Sequence, residues 1–545
     1  MLNSKYVIFF ISIIILSLFS QIVYCEDAKK EYADVVVLLD SSGSMKKTDP
    51  INLRLPAARL FVSLLGKNDR VSIVSFDTKA NTLIPLTMVK GDGNLSQLIK
   101  AIDKVPSVGL WTNIYDALDK AYELLDKNTR PKSQPIVILM SDGKMDTSDV
   151  KKDAELTESL KTTLLRKFKD KGIIIYTMAF SEESDKELLE FIAKATEGLF
   201  YVDLTTSNLH LRFTSVFENL KAPEMLPMQD NSFLVDKSVE EVTIVANKAD
   251  PKTTITLISP TKKEYTAKSI PDFIKWSPSE QFDMITLSTP EVGRWSIKFS
   301  TKEGNKAYIV TNLKLQTDFD SQYVKLNEQI NINSWLLKDN ANVTEREILS
   351  KITMTLELSH PDGKVEKIAL YDNGEGIDKT KYDGKYAGMI KPSTPGQYTL
   401  KAKASGSTFE RSQSFTFIVN KLDEKMPLTD TLPVQHDTEN KDVETEQAKP
   451  LQHEIDEAVK PKTTPKEESK SFLGDKIKGL TSKDAVSSLI NINAILLSIV
   501  AIFLIIKRFS GRMPNLSGKM PKIPEKLVKL FSKILGIIKL KRSKK

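Results

Sequence analysis

A chain of 545 residues, 40% hydrophobic and 27% charged, has the makeup of an ordinary globular protein and length for three or four domains. Its single cysteine excludes any intramolecular disulfide, so stability must come from packed cores and, where a site is built for it, from metal. The formal net charge of +7 does not point to nucleic acid, because the basic excess is confined to one end of the chain.

Lys5 precedes the apolar run YVIFFISIIILSLFSQIV, which reads as a secretory signal over residues 1–25, cut between Cys25 and Glu26. The following domains are then exported. Acylation of Cys25 is the competing reading, and bulky Tyr24 stands where that processing wants a small residue.

Residues 32–220 alternate apolar runs with amphipathic stretches: ADVVVLLD, LRLPAARLFVSLLG, RVSIVSF, IYDALDKAYELLDK, PIVILMSDG, IIIYTMAF and KELLEFIAKAT. Strands that are continuously apolar, separated by helical periods, predict a doubly wound α/β domain around a mainly parallel sheet. Ligands of such sheets bind at the carboxyl ends of the strands. Asp40 closes the first strand in VVLLDSSGSM, and Asp142 closes another in ILMSDG.

Asp40, Ser42 and Ser44 offer a carboxylate and two hydroxyls at alternate positions, and Thr112 in GLWTNIYDAL with Asp142 adds two further oxygens. A hard cation of Mg²⁺ size takes an octahedron of oxygens and keeps some water. Serine and threonine ligate without adding charge. Two carboxylates at most balance the dication and three hydroxyls add no further charge, so a coordination position stays open to an acidic group from outside.

These five residues, in this order and context, resemble the metal-ion-dependent adhesion site of von Willebrand factor type A (VWA) domains, a resemblance that covers roughly Tyr32 to Leu220. It implies Mg²⁺ or Mn²⁺ held by Asp40, Ser42, Ser44, Thr112 and Asp142, the hydroxyls directly or through water and the aspartates mostly through water. It also implies a partner protein whose carboxylate completes the sphere. One departure stands out: Leu110 and Trp111 precede Thr112 where the family often has glycines, and Trp111 either narrows access or joins the binding surface. Taken singly, each element has a plainer reading: a turn for DSSGS, a helix cap for Thr112, a turn for SDG. No nucleophile or base is paired with the carboxylates, and His210, His360, His436 and His453 sit in unrelated contexts without HExxH spacing, so most read as surface residues and the protein as no enzyme.

From residue 222 the period becomes that of strands: SVEEVTIVA, TTITLIS, DMITLST, RWSIKFS and AYIVTNLKL over 222–316, then TMTLELS, VEKIALYD, GQYTLKAKA and SQSFTFIV over 320–420. PEVGRWSIKF and TPGQYTLKA share a Pro/Gly turn followed by an aromatic, each downstream of a turn in SPTKKEYT or HPDGKVEK. Two all-β sandwich modules resembling immunoglobulin-like domains follow from this. The loop LYDNGEGIDKTKYDGKYAG holds Asp372, Asp378 and Asp383 but fails EF-hand spacing, since Gly374 and Gly376 stand where ligands belong; it reads as a glycine-rich hairpin loop.

Residues 421–480 are a charged linker, aromatic-free from Lys421 to Ser471, that cannot bury a core. About 50 residues of coil span on the order of 40 Å. Ala485 to Ile506 is apolar over about 22 residues, about 33 Å as a helix, and reads as one membrane-spanning helix. The tail 507–545 carries 13 Lys or Arg against Glu525 alone; with the tail and Lys5 set aside, 64 basic residues face 70 acidic ones. The positive-inside rule puts such a tail in the cytoplasm. Its Leu527, Leu530, Phe531, Ile534 and Leu535 share a helical face, which suits an anionic inner leaflet, although topogenic charge alone accounts for the lysines.

The expectation is a single-pass membrane protein whose exported VWA-like domain (periplasmic or extracellular) binds an acidic group of a protein partner through a divalent cation. Alternatives are an assembly or chaperone-like factor for an envelope complex and, with less support, a metal-dependent hydrolase. The lack of paired cysteines favours a bacterial envelope.

Overall fold

The computed structural model describes residues 30–89, 92–203 and 208–421. The signal segment 1–25, nearly all of the linker 421–480, the membrane helix 485–506 and the tail 507–545 lie outside the described residues. Among the described residues no helix is long and apolar enough to cross a membrane.

The first lobe runs β1 (Tyr32–Asp40), α1 (Met45–Thr48), α2 (Arg54–Leu64), β2 (Arg70–Phe76), β3 (Ala80–Met88), α3 (Asp92–Ile102), α4 (Ile114–Asn128) and β4 (Ser133–Ser141). It continues with α5 (Val150–Ser159), a π turn Leu160–Leu164, α6 (Leu165–Asp170), β5 (Ile174–Ala179), α7 (Lys186–Ala195), β6 (Phe200–Val202) and α8 (Leu209–Lys221). The sheet order is β3-β2-β1-β4-β5-β6, parallel except for the β2–β3 hairpin. The chain therefore reverses direction across the sheet between β1 and β4, and the crevice at their carboxyl ends is where such sheets bind ligands.

The uninterrupted apolar run of β1 follows from burial on both faces. Val35, Val37 and Leu39 point into one helical layer with Phe61 of α2 and Phe213 of α8. Val36 and Leu38 point into the other, with Leu118 of α4, Phe168 of α6 and Ile192 of α7. A strand period of two feeding two cores leaves no position for a polar residue until the strand ends. At the opposite end of β1, buried Asp34 accepts hydrogen bonds from Arg70 (2.8 Å, twice) and Arg130 (2.9 Å), which ties β2 and the turn before β4 to β1.

The second lobe is a sandwich of two four-stranded sheets. One holds Ser232–Val235, Thr256–Ile258, Glu264–Tyr265 and Gly293–Lys298, the other Val239–Asn247, Ile274–Pro278, Phe282–Ser288 and Lys306–Thr311. Leu313–Thr317 already pairs with Ile330–Lys338 of the third lobe, so the lobes divide at Asn312. That third lobe is a second sandwich whose five-stranded sheet includes the short parallel strand Tyr323–Lys325 beside Glu410–Asn420.

The repeat read in the sequence has a structural counterpart. Gly293 and Gly396 both take positive φ, +133° and +130°, and a Cβ on either would come within 3 Å of a proline, Pro260 or Pro361, from the preceding turn. Each glycine lets a proline turn lie against the strand that then buries Trp295 or Tyr398 in the core.

All three lobes meet at α8. Glu218 accepts hydrogen bonds from the Tyr308 hydroxyl (2.9 Å) and Lys306 (2.8 Å) of the second lobe. Asn219 exchanges two hydrogen bonds with the Thr416 backbone of the third, at 2.7 and 2.9 Å. Two of the expected surface histidines are corrected here: His210 is buried on Asn247 at 2.9 Å and stacked on Phe282, and His360 packs against Tyr398. His436 and His453 lie outside the described residues.

Candidate metal centre

Strand β1 delivers Asp40 to the carboxyl edge of the sheet, and the chain then turns over the end of β2. The Ser41 amide and hydroxyl both donate to the Phe76 carbonyl, at 2.8 and 2.9 Å. Asp40 Oδ1 accepts the Ser42 N–H at 2.8 Å and Oδ2 accepts the Ser141 hydroxyl at 2.7 Å. Ser42 Oγ and Ser44 Oγ stand 2.9 Å apart, and Ser44 Oγ donates to Asp142 Oδ1 at 2.9 Å. The Thr48 hydroxyl, on the short turn α1, donates to Asp142 Oδ2.

Thr112 reaches the same place from the other side. Its amide donates to the Asp146 carbonyl and its own carbonyl accepts the Asp146 N–H, both at 2.9 Å, pinning it to the loop after β4. A Cβ at position 143 would sit 3.3 Å from Thr112 Oγ1, so the absent side chain of Gly143 admits that hydroxyl beside Asp142. The cap of α4 is Asn113, whose Oδ1 accepts the Asp116 N–H at 3.0 Å. Thr112 is thereby released from the capping role its sequence context suggested.

The structure thus brings together Asp40, Ser42, Ser44, Thr112 and Asp142. It adds Ser141 and Thr48, which orient the two carboxylates and were not singled out in the sequence. Ser141 carried a readable signal, as the one hydroxyl in the last apolar strand turn ILMS; Thr48 carried none, since its role depends on α1 folding back over Asp142. The backbone beneath is held by Ser181, whose hydroxyl donates to the Asp142 carbonyl at 2.6 Å.

The electrostatics follow from enclosure. Burial first, then the neighbouring Asp142 charge, push the Asp40 carboxyl up to about 6. Burial raises Asp142 as well, against the opposing hydrogen bonds from Thr48 and Ser44. The donors that hydrogen-bond both carboxylates are neutral, and Arg54, the cation that acts on Asp142, is itself paired with Asp49, so the two buried carboxylates are short of positive charge. The donor set fits a small divalent cation: cis ligands about 2.0–2.1 Å from an octahedral ion stand about 2.9 Å apart, the separation of the two serine oxygens.

A second group of carboxylates was set aside in the sequence. Asp372, Asp378 and Asp383 place ligand atoms within 4.8 Å of one another. Backbone amides occupy all three: Gly384 N–H donates to Asp372 at 3.0 Å, Gly374 N–H to Asp378 at 2.5 Å and Lys385 N–H to Asp383 at 2.8 Å, with Gly374 and Gly376 at positive φ. These carboxylates organise the glycine-rich loop.

The first lobe is a von Willebrand factor type A domain, the family whose description matches residues 34–215. Residues 219–311 match the hemicentin galactose-binding domain-like family, and residues 313–417 the second Ig-like domain of conditioned medium factor. The β-rich, Ig-like continuation thus stands, with the first sandwich matching a family of its own.

Over 399 residues the chain is 25% identical to calcium-activated chloride channel regulator 1 of Equus caballus, covering 68% of this chain and 41% of that protein. The human protein of that name is 24% identical over 396 residues with the same coverage. The chain therefore spans less than half the length of these curated relatives. Among solved structures, a von Willebrand factor type A protein from Catenulispora acidiphila is 14% identical over 58% of this chain and 64% of its own, with a TM-score of 0.29. Proximal thread matrix protein 1 of the mussel byssus, solved with zinc in its metal-ion-dependent adhesion site, is 25% identical over 34% of this chain and 44% of its own, TM-score 0.28.

Proposed function

We propose that this protein recognises a protein partner by bridging an acidic side chain of the partner to a divalent cation, Mg²⁺ or Mn²⁺, held by Asp40, Ser42, Ser44, Thr112 and Asp142. The observation that carries this is the convergence of three hydroxyls and two buried carboxylates at the β1/β4 crevice, with Ser42 Oγ and Ser44 Oγ 2.9 Å apart. When bound, the cation supplies a Lewis-acidic position for an outside oxygen. The chain's own residues do the rest: Ser141 and the Ser42 amide aim Asp40, Thr48 and Ser44 hold Asp142, and the serine and threonine oxygens ligate without neutralising the ion.

Binding is the better reading than hydrolysis. Neither described histidine reaches the cluster, His210 being held by Asn247 and His360 lying against Tyr398 in the third lobe. We place the three lobes outside the cytoplasm on a single membrane helix at residues 485–506 with a basic cytoplasmic tail, a topology supported by the apolar stretch and the charge that follows it. The similarity to proteins named as channel regulators runs over 68% of the chain, and supports as a second reading an accessory or assembly role on a membrane complex through the same site.

The test is capture of partners by the full chain in Mg²⁺ and in EDTA, beside Asp40→Ala. Partners present only with metal and only with native protein are expected. If the variant retains every partner in chelator, the metal bridge is wrong.

A further inference from the structure

The segment from Ser107 to Thr112 crosses the front of the candidate metal centre and is fixed at both ends. Upstream, buried Arg54 donates to the Pro106 carbonyl (3.0 Å) and the Ser107 hydroxyl (2.7 Å), while its other nitrogen pairs with Asp49 at 2.8 Å. In the middle, the amides of Val108 and Gly109 both donate to the Ser41 carbonyl, at 3.1 and 3.0 Å, and Gly109 forms a β-bridge with Ser42. Downstream, Thr112 bridges to Asp146. The strap is sewn to both halves of the site.

Between these anchors the side chains point outward. Val108 is 66% exposed and Leu110 is 81% exposed. One exposed leucine needs no explanation, but two large aliphatic side chains on alternate residues of a strap anchored beside a metal site form an apolar edge. The residues that follow the ligands add charge. Lys46 follows Ser44 by two residues, Lys144 follows Asp142 by two, both are exposed, and neither joins an ion pair among the described residues.

We infer that this strap selects the ligand of the metal site, and that the ligand is a segment of a partner protein in which the bridging Asp or Glu lies within two residues of a large apolar side chain and beside further acidic ones. The inference rests on the metal-bridge reading above and names the partner's chemistry. Spacing sets the register: Leu110 lies two residues from the ligating Thr112, at most about 6–7 Å along the chain, so an apolar side chain one or two residues from the bridging carboxylate reaches Leu110. Charge sets the flank, since Lys46 and Lys144 complement acidic neighbours. The strap is already ordered by Arg54, Ser41 and Asp146, so docking on it loses little conformational freedom.

The experiment selects displayed linear peptides on the full chain in detergent micelles, in parallel with MnCl₂ and with EDTA. The enriched peptides are then titrated against native protein and Val108→Ala/Leu110→Ala. Metal-dependent enrichment of Asp or Glu with Leu, Ile, Phe or Met within two residues is expected, with binding about tenfold weaker or more in the double variant. The metal-induced rise in melting temperature should be unchanged in that variant, which separates a lost surface from a damaged site. Metal-dependent peptides that are acidic without the apolar neighbour, or that bind the double variant equally, overturn the strap proposal and leave the metal bridge standing. No metal-dependent peptide at all overturns both. A metal-dependent dimer of the full chain that the double variant dissolves assigns the strap to a second copy and overturns the partner reading.

Discussion

Asp40→Asn keeps the shape of the metal centre's deepest residue and removes its charge. Its Oδ1 still accepts the Ser42 N–H, and the new amide donates to Ser141 Oγ, which as a hydroxyl accepts as readily as it donates. In native protein without metal, burial and Asp142 raise Asp40 from 3.8 to about 6. Between those two values the folded chain holds a proton that the unfolded chain has released. Stability therefore falls as pH rises through the window and stays low above it. The rise from 3.8 to about 6 corresponds to about 3 kcal/mol, absent from the asparagine variant, which is neutral at every pH. For a domain of this size that is about 6–12 °C in melting temperature.

The assay is thermal unfolding of native and variant protein in EDTA at pH 4, 6 and 7.5, repeated at pH 7.5 with Mg²⁺ or Mn²⁺. In chelator the variant should match native at pH 4 and exceed it at pH 7.5. With metal the order should invert, because the cation compensates the ionised Asp40 of native protein and finds a weaker ligand in the variant. A variant less stable than native in EDTA at pH 7.5 would falsify the claim that Asp40 is a buried, uncompensated charge awaiting a cation.

Three further outcomes test separate parts of the structure. Thr112→Val should leave melting in chelator nearly unchanged, since the Asp146 contacts are made by the Thr112 backbone, and should weaken metal binding by roughly 10–100-fold in calorimetry. Gly109→Ala places a Cβ 2.2 Å from the Asp77 Cβ, so the strap must shift off Ser42 and the metal-induced rise in melting temperature should shrink; an unchanged rise would uncouple strap from site. Glu224, in the link from α8 to the second lobe, is raised to about 8 by burial, while the Leu315 N–H it accepts at 3.0 Å lowers it. A carboxyl raised this far contributes stability at neutral pH that is lost as pH rises through about 8. Native protein should therefore lose melting temperature between pH 7 and 9, and Glu224→Gln, which keeps an acceptor for Leu315, should not.

Legibility in the sequence follows the physics of each interaction. The uninterrupted VVVLL before Asp40 announces a strand buried on both faces, because both neighbouring cores demand apolar residues from it. A carboxylate at the end of such a strand is anomalous enough to mark a site. Thr112 and Asp142 became partners only by assuming the topology, and the β1–β4 pairing supplies it. Thr48 and the strap's hold on Ser41 and Ser42 were illegible for the same reason that they matter: they are made by backbone groups and a lone hydroxyl, which leave no periodic trace. The three lobes, whose arrangement composition did not address, are fastened around α8 by Glu218, Asn219 and buried Tyr308. The contacts that join the lobes, polar ones and the apolar packing of Phe217 on Tyr308 alike, link elements far apart in sequence and have no period, whereas the core face of a strand or helix does. These contacts converge on the last helix of the domain that carries the metal centre, and the Phe213 of that helix packs in the same core as Leu39, the residue before Asp40.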